Sequence, residues 1–435
     1  MNVREVALRM LDEYELSGKY VNLSLSSHIA DSLSVGERGF LTALLYTSVE
    51  RKLTFDYYVS ALSKRSTDKI DIHTLNILRL GLAQLLFFDS VPDFAAVNET
   101  VKLGRGGERS FVNGVLRAAV IAKEGGGLPL PDRSKNEARY LSVAYSVPLA
   151  LCKKFISLYG VGDTEALLRH FNEASYTDLT VNTRRISREE LIDKLSASGI
   201  PASASSLTPI SIRIPYSVNP TLLPGFSDGL FFVQDAASAL CCTVLGTAPC
   251  DRVIDVCACP GGKSFAAGVL GDDRGEIYSF DIHESKLSLV TEGAERLGLN
   301  SIRVEARDAL TPDESLFGTA DRVICDVPCS GLGVLGKKAD MRYRDMESIS
   351  ELPPLQGSIL ECSSRYLKVG GVLVYSTCTL NPEENEAVVE RFLASHPEME
   401  PVPFEVCGES YSHYTALPYR TGTDGFFIAK IKRIG

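Results

Sequence analysis

Arg252-Val-Ile-Asp-Val-Cys-Ala-Cys-Pro-Gly-Gly-Lys263 reads as a short apolar strand that runs into a glycine-containing loop, with a helix starting where the loop ends. The same rhythm continues downstream. Further apolar runs at Ile277–Asp281, Ile302–Glu305, Arg322–Val327 and Gly371–Ser376 alternate with helical stretches. Alternation of this kind predicts a parallel, doubly wound α/β sheet with helices on both faces, so a ligand site is expected beyond the carboxyl ends of the strands.

Upstream the pattern is different. Val3, Val6, Ala7, Met10 and Leu11 share one helical face, and Leu75, Leu78, Leu82, Leu85 and Leu86 repeat the arrangement. A last helix from about Phe111 to Ala122 meets Gly125-Gly-Gly127, Pro129 and Pro131, which read as a linker. Residues 1–124 are therefore expected to form an all-α domain. Between 140 and 235 helical stretches near 148–159 and 188–198 mix with short apolar runs such as Asp178-Leu-Thr-Val-Asn182. Ser187 with Glu190 is a capping-box signature for the second helix. This predicts a small α+β segment over 140–235, followed by the α/β domain over 236–435.

The chain has 435 residues, 45% hydrophobic and 23% charged, the profile of a soluble globular protein of more than one domain. No apolar run approaches the ~18 residues of a membrane span, and the N-terminus lacks a signal-peptide pattern, so a cytoplasmic location is expected. Eleven cysteines without any Cys-x-x-Cys pair suit reduced thiols rather than disulfides or zinc, and Cys241-Cys242 reads as apolar filling. No metal is expected. The net charge of −10 argues mildly against a nucleic-acid partner, but it is unevenly spread. Residues 1–240 carry 26 Lys and Arg against 26 Asp and Glu, which leaves room there for basic faces such as Lys64-Arg65 and Arg184-Arg185.

The loop Cys257-Ala258-Cys259-Pro260-Gly261-Gly262-Lys263 lets backbone approach a ligand at a helix N-terminus. Despite Gly262-Lys263-Ser264 it is not a Walker loop, since Ala258 stands where the first glycine belongs. Asp281 ends the next strand, nineteen residues after Gly262, where an acidic group can bind ribose hydroxyls; it can also cap the following helix. Asp308 follows the third strand and can read an adenine amino group, or simply form a turn. A nucleoside carrying an amino acid fits this layout. NAD is the competing ligand, but Gly-x-Gly-x-x-Gly is missing.

Two further strand ends carry thiols: Asp326-Val-Pro-Cys329-Ser-Gly331 and Tyr375-Ser-Thr-Cys378-Thr-Leu-Asn-Pro382. A lone cysteine is usually packing. Two at the ligand edge beside an aspartate suggest chemistry. Cytosine C5 is a poor nucleophile until a thiolate adds at C6, and Cys378 suits that attack. Asp326 can hold a proton at the N3 and N4 edge, and Cys329 can assist elimination.

These strings, with Glu383-Glu-Asn-Glu386, closely resemble the RsmB/Sun family of RNA cytosine-5 methyltransferases. The resemblance implies S-adenosylmethionine as cofactor, bound through Cys257 to Lys263, Asp281, Asp308 and Asp326. It also implies Cys378 as nucleophile and Cys329 as the residue that helps release the product. The opening domain looks like the NusB-like RNA-binding module of the bacterial subgroup, through Ile77-Leu-Arg-Leu-Gly81, Ala95-Ala-Val-Asn98 and Phe111-Val-Asn-Gly-Val-Leu-Arg117. Val233-Gln-Asp-Ala-Ala-Ser238 and Thr423-Asp-Gly-Phe-Phe427 extend the likeness over nearly the whole chain. The expected architecture is thus a NusB-like all-α domain, a small α+β segment and a Rossmann-like methyltransferase domain, acting on small-subunit (16S) ribosomal RNA. Cys259 stands where the family usually has Ala, Thr180 precedes Val-Asn where Arg is usual, and Trp is missing from the chain. The alternatives are a transfer RNA substrate, or a non-catalytic RNA-binding factor with a decayed methyltransferase domain.

Overall fold

The computed structural model describes residues 2–17, 33–173 and 176–435, and the chain divides into two compact units. The first comprises residues 1–172 together with the stretch Lys338–Arg344. It contains the helices Val3–Ser17, Val35–Glu50, Lys52–Ser63, Ile72–Phe87, Asp93–Val101, Glu108–Glu124, Glu137–Ala144 and Leu149–His170. Helix Ile72–Phe87 is buried all round, Leu75, Ile77, Leu78, Leu80 and Leu82 included, as expected of the central element of a helical bundle. It also carries Arg79, which forms a bidentate pair with Asp56 at 2.7 Å and donates to Glu15 and Asn76 at 2.8 Å. Burial alone would lower the Arg79 pKa, but the carboxylates outweigh it and hold the charge.

Helices Glu137–Ala144 and Leu149–His170 cluster with this unit rather than with the sheet that follows them. Helix Leu149–His170 runs well past residue 159 and breaks at Gly160, whose φ of 75° is not helical. Arg342 is 1% exposed within the same unit and donates to the carbonyls of Tyr145 and Phe171. Nothing in the sequence pattern marks it as a core residue. Its burial depends on carbonyls that helix ends present far away in the chain.

The second unit comprises residues 173–337 and 345–435. Strands β1 (Thr177–Val181), β2 (Ser203–Ala204), β3 (Ser211–Ile214) and β4 (Phe231–Val233) form an antiparallel sheet in the order β2-β3-β1-β4. Helix Arg188–Ala197 packs on it and is started by the capping box: the Ser187 hydroxyl accepts from the Glu190 N–H, and the Glu190 carboxylate accepts from the Ser187 N–H.

The larger sheet begins with β5 (Arg252–Asp255), β6 (Glu276–Asp281), β7 (Ile302–Ala306), β8 (Ala320–Asp326), β9 (Leu367–Thr377) and β10 (Met399–Pro401). Strands β11 (Phe404–Val406) and β12 (Glu409–Tyr411) then make a separate hairpin, after which β13 (His413–Ala416) and β14 (Phe426–Arg433) complete the larger sheet. The order β10-β14-β9-β8-β5-β6-β7 is parallel from β9 to β7. The five strands expected from the sequence are parallel, and the sheet is extended at one edge, where β14 runs antiparallel to β9 and pairs with β10 and β13. Phe426 to Ala429 and Ile431 are buried, so β14 reads as a nearly continuous apolar run whose direction its own sequence does not encode.

Chain order reverses between β5 and β8: β6 and β7 lie to one side, β8 and β9 to the other. This switch point opens a crevice at the carboxyl ends of β5 and β8.

Candidate active site

The loop after β5 is built around Gly261, whose φ of 111° is a left-handed conformation. A Cβ there would lie 2.4 Å from Phe265 Cζ, so only glycine fits. The loop turns into helix Gly262–Leu270, whose first N–H groups face the crevice end of β5. Asp281, at the end of β6, holds this loop: one carboxylate oxygen accepts from the Cys259 N–H at 3.0 Å and the other from the His283 N–H at 2.9 Å. Each oxygen retains a second lone pair, so the group can also accept from ligand hydroxyls. Burial, and then the Asp281 charge, push the Cys259 thiol up to about 12. Burial raises Cys257 well above its ordinary value, and both thiols stay protonated.

Beneath the loop Asp255 is buried and accepts from the Ser264 hydroxyl at 2.7 Å, which in turn accepts from Ser279. Burial pushes its carboxyl up to about 7, more than the Ser264 bond lowers it.

Lys263 reaches across the crevice to Asp326, with Nζ 2.6 Å from Oδ2, and the Ser376 hydroxyl donates to Oδ1 at 2.7 Å. Burial would lower the Lys263 pKa, but Asp326 outweighs it and keeps the ammonium charged. Asp326 is thereby oriented from both sides.

Cys329 Sγ and Cys378 Sγ are 3.1 Å apart, and both residues are partly exposed. The hydrogen bond to Cys378, then burial, raise the Cys329 thiol well above its ordinary range. The two loops are stitched together by backbone: the Gly333 N–H donates to the Cys378 carbonyl at 3.0 Å, and the Gly425 N–H donates to the Gly333 carbonyl at 2.8 Å. A Cβ on Gly333 would fall 2.1 Å from the Gly425 carbonyl oxygen, so this approach needs glycine. Lys337 closes the arrangement by pairing with Asp235 at 2.8 Å and Asp424 at 3.0 Å.

Cys257 to Lys263, Asp281, Asp326, Cys329 and Cys378 thus all gather at the carboxyl edge of β5, β6, β8 and β9. Asp308 shares that edge but lies beyond β7, away from the thiols, and its carboxylate accepts from the Leu310 N–H at 2.9 Å. Sequence reasoning passed over Ser376, Lys337 and the buried Glu384, although Ser376 and Glu384 lie within strings already singled out. It also missed Ile282 and Leu310, which are 62% and 41% exposed beyond the ends of β6 and β7. Among the described residues no group of three or more His, Cys, Asp or Glu is arranged to hold a metal ion, and no single helix is long and apolar enough to cross a membrane.

The sheet order and the loops at its switch point define a Rossmann-like methyltransferase. Residues 242–432 match the family described as 16S rRNA methyltransferase RsmB/F, residues 147–220 the ferredoxin-like domain of RsmF/B-like methyltransferases, and residues 1–120 the NusB family. The chain is 36% identical to a probable ribosomal RNA small subunit methyltransferase B of Synechocystis, covering 100% of both chains. It is 34% identical to the protein of the same name in Bacillus subtilis, covering 100% of this chain and 99% of the relative. The crystal structure of a methyltransferase homolog protein from Pyrococcus horikoshii matches with a TM-score of 0.60 at 27% identity, over 69% of this chain and 99% of that one. The chain belongs to the RsmB family.

Proposed function

We propose that this enzyme methylates C5 of a cytosine in 16S ribosomal RNA, with Cys378 as nucleophile, Cys329 as the residue that assists product release, and S-adenosylmethionine as methyl donor. The observation that carries the reading is the pair of thiols 3.1 Å apart at the switch point, beside an aspartate held by Lys263 and Ser376. A decayed, non-catalytic domain would have no reason to keep that geometry.

The residues present suit the cofactor. Gly261 allows the tight turn that starts helix Gly262–Leu270 where a Cβ would strike Phe265, Asp281 has acceptor capacity for ribose hydroxyls, and the exposed Ile282 and Leu310 offer apolar cover for a purine. Cys257 to Lys263 would line the amino-acid end, and Asp308 would stand near the base. When bound, S-adenosylmethionine supplies an electrophilic methyl group on a sulfonium.

Cys378 attacks C6 of the target cytosine as thiolate, forming a carbon–sulfur bond and placing electron density on C5. Asp326 faces the N3 and N4 edge, where charge develops, and Lys263 fixes its orientation. After the methyl is in place water takes the C5 proton, the C5–H electron pair forms the C5–C6 double bond and the C6–Sγ bond breaks with its pair on Cys378 as thiolate; the Cys329 thiol, 3.1 Å away, assists by donating a hydrogen bond to that leaving sulfur. Neither thiol can reach C6 of a stacked base, so the nucleotide enters the crevice unstacked.

Residues 1–124 and 140–235 serve RNA binding, and residues 236–435 serve catalysis, in a cytoplasmic enzyme. Bisulfite sequencing of 16S rRNA from a strain lacking the gene tests the reading: one cytosine should lose its methylation and regain it with the wild-type gene but not with Cys378→Ala. Unchanged 16S methylation, with loss of a mark in a transfer RNA, would move the substrate class.

A further inference from the structure

Glu384 is completely buried, and its carboxylate gathers donors from both thiol-bearing loops. Oε2 accepts from the Ser330 backbone N–H at 2.8 Å and from Gln356 Nε2 at 3.0 Å. Oε1 accepts from the Ser330 hydroxyl at 2.5 Å and from Asn381 Nδ2 at 2.9 Å. Ser330 directly follows Cys329, and Asn381 lies three residues after Cys378. The Ser330 and Thr379 hydroxyls also meet at 2.6 Å, and the Tyr375 hydroxyl donates to the Glu384 carbonyl.

A buried carboxylate is strongly unfavourable unless donors satisfy it. Helix capping does not account for this one, because its donors are Ser330, Gln356 and Asn381 and not the first N–H groups of helix Glu386–Ser395. Four donors converging on one group require a side chain that only accepts, and a carboxylate is such a group while an amide is not. The donors come chiefly from the two strand ends whose relative position the chemistry depends on.

We propose that Glu384 is a positioning residue of the reaction: it ties the Cys329 loop to the Cys378 loop, sets the spacing of the thiols, and sets its negative charge against Ser330, next to Cys329. The inference rests on the function proposed above. The Glu384 charge is among the causes that raise the Cys329 thiol, after the hydrogen bond to Cys378 and burial. Cys378 and Glu384 raise the Cys329 thiol and the Gly331 N–H lowers it, while Cys329 in turn helps raise the Tyr375 hydroxyl.

The test uses the full-length protein as wild type, Glu384→Gln and Glu384→Asp, with folding checked by circular dichroism. Each is alkylated with iodoacetamide between pH 7 and 11, and the peptides carrying Cys329 and Cys378 are quantified by mass spectrometry. Glu384→Gln removes the charge, so the Cys329 midpoint should fall by about one pH unit. Glu384→Asp keeps the charge but shortens the reach, so its midpoint should stay near wild type while kcat drops about tenfold or more with little change in KM for RNA. If Glu384→Gln does not fold, Glu384→Asp and Ser330→Ala, which removes one donor, decide the matter through kcat. Wild-type kcat in every folded variant, or a wild-type Cys329 profile in folded Glu384→Gln, would overturn the proposal. Methyl transfer by Cys378→Ala with Glu384 intact would instead refute the underlying mechanism, while the alkylation profile would still report on Glu384.

Discussion

Cys329 Sγ and Cys378 Sγ meet at 3.1 Å although 49 residues separate them in the chain. Strands β8 and β9 are parallel neighbours in register from Arg322 opposite Val372 to Asp326 opposite Ser376, so the residues that follow each strand emerge side by side. Single and double variants separate the roles of the two thiols. Cys329→Ala should attack and methylate but release slowly, accumulating a denaturant-resistant protein–RNA band. Cys378→Ala and the double variant should show no band, because trapping needs the bond that Cys378 makes. A band in Cys378→Ala and none in Cys329→Ala would reverse the roles.

Asp281 both anchors the Cys259 backbone and has acceptor capacity for a ribose. Asp281→Ala should weaken S-adenosylmethionine binding by about 1.5–3 kcal/mol, the worth of hydrogen bonds to a charged group. Calorimetry on the folded variant measures this, and unchanged affinity would remove Asp281 from the cofactor site.

Gly261→Ala should cost the loop about 1–3 kcal/mol of backbone strain, with the added methyl pressing on Phe265. A lower thermal midpoint and weaker cofactor binding are expected together. Wild-type values for both would show that the loop adapts more readily than its geometry implies.

Asp255 predicts a pH dependence of stability. Burial raises its carboxyl from 3.8 to about 7 in the folded protein. A raised folded-state pKa favours the protonated native state, so this contribution is complete below about pH 4 and is lost as pH rises through about 7. A tenfold change in proton affinity corresponds to about 1.4 kcal/mol, so the loss is large enough to measure. Asp255→Asn should therefore gain on wild type in urea midpoint on going from pH 5 to pH 8. A constant difference between the two proteins would mean that Asp255 is ionised throughout.

Much of the site was legible because its chemistry sits on strings that are local. Cys257 to Lys263, Asp326 to Cys329 and Tyr375 to Cys378 each follow or end an apolar run that reads as a buried strand, and parallel strands bring such runs to one edge. The helical first unit was legible for the same reason, its apolar residues recurring at helical spacing. Strand β14 was not, because an apolar run says that a strand is buried but not which way it runs. Lys337, Ser376 and Glu384 were missed because a charged or hydroxyl side chain looks the same in sequence whether it faces water or a buried partner.

The sequence by itself determined the helical periodicity of the first unit, the alternation of strands and helices over 252–376, the glycine-containing loop after β5 and the two thiols that follow β8 and β9, since each depends on periodicity or on residue types a few positions apart. The tertiary structure alone decided which partners those residues meet. Asp326 lies between Lys263 and Ser376, Arg342 is buried among distant carbonyls of the helical unit, and Glu384 collects donors from the loops after β8 and β9. The physical reason is that a hydrogen bond or an ion pair acts over about 3 Å in space, whereas the residues that make these contacts are separated by as many as 292 positions along the chain.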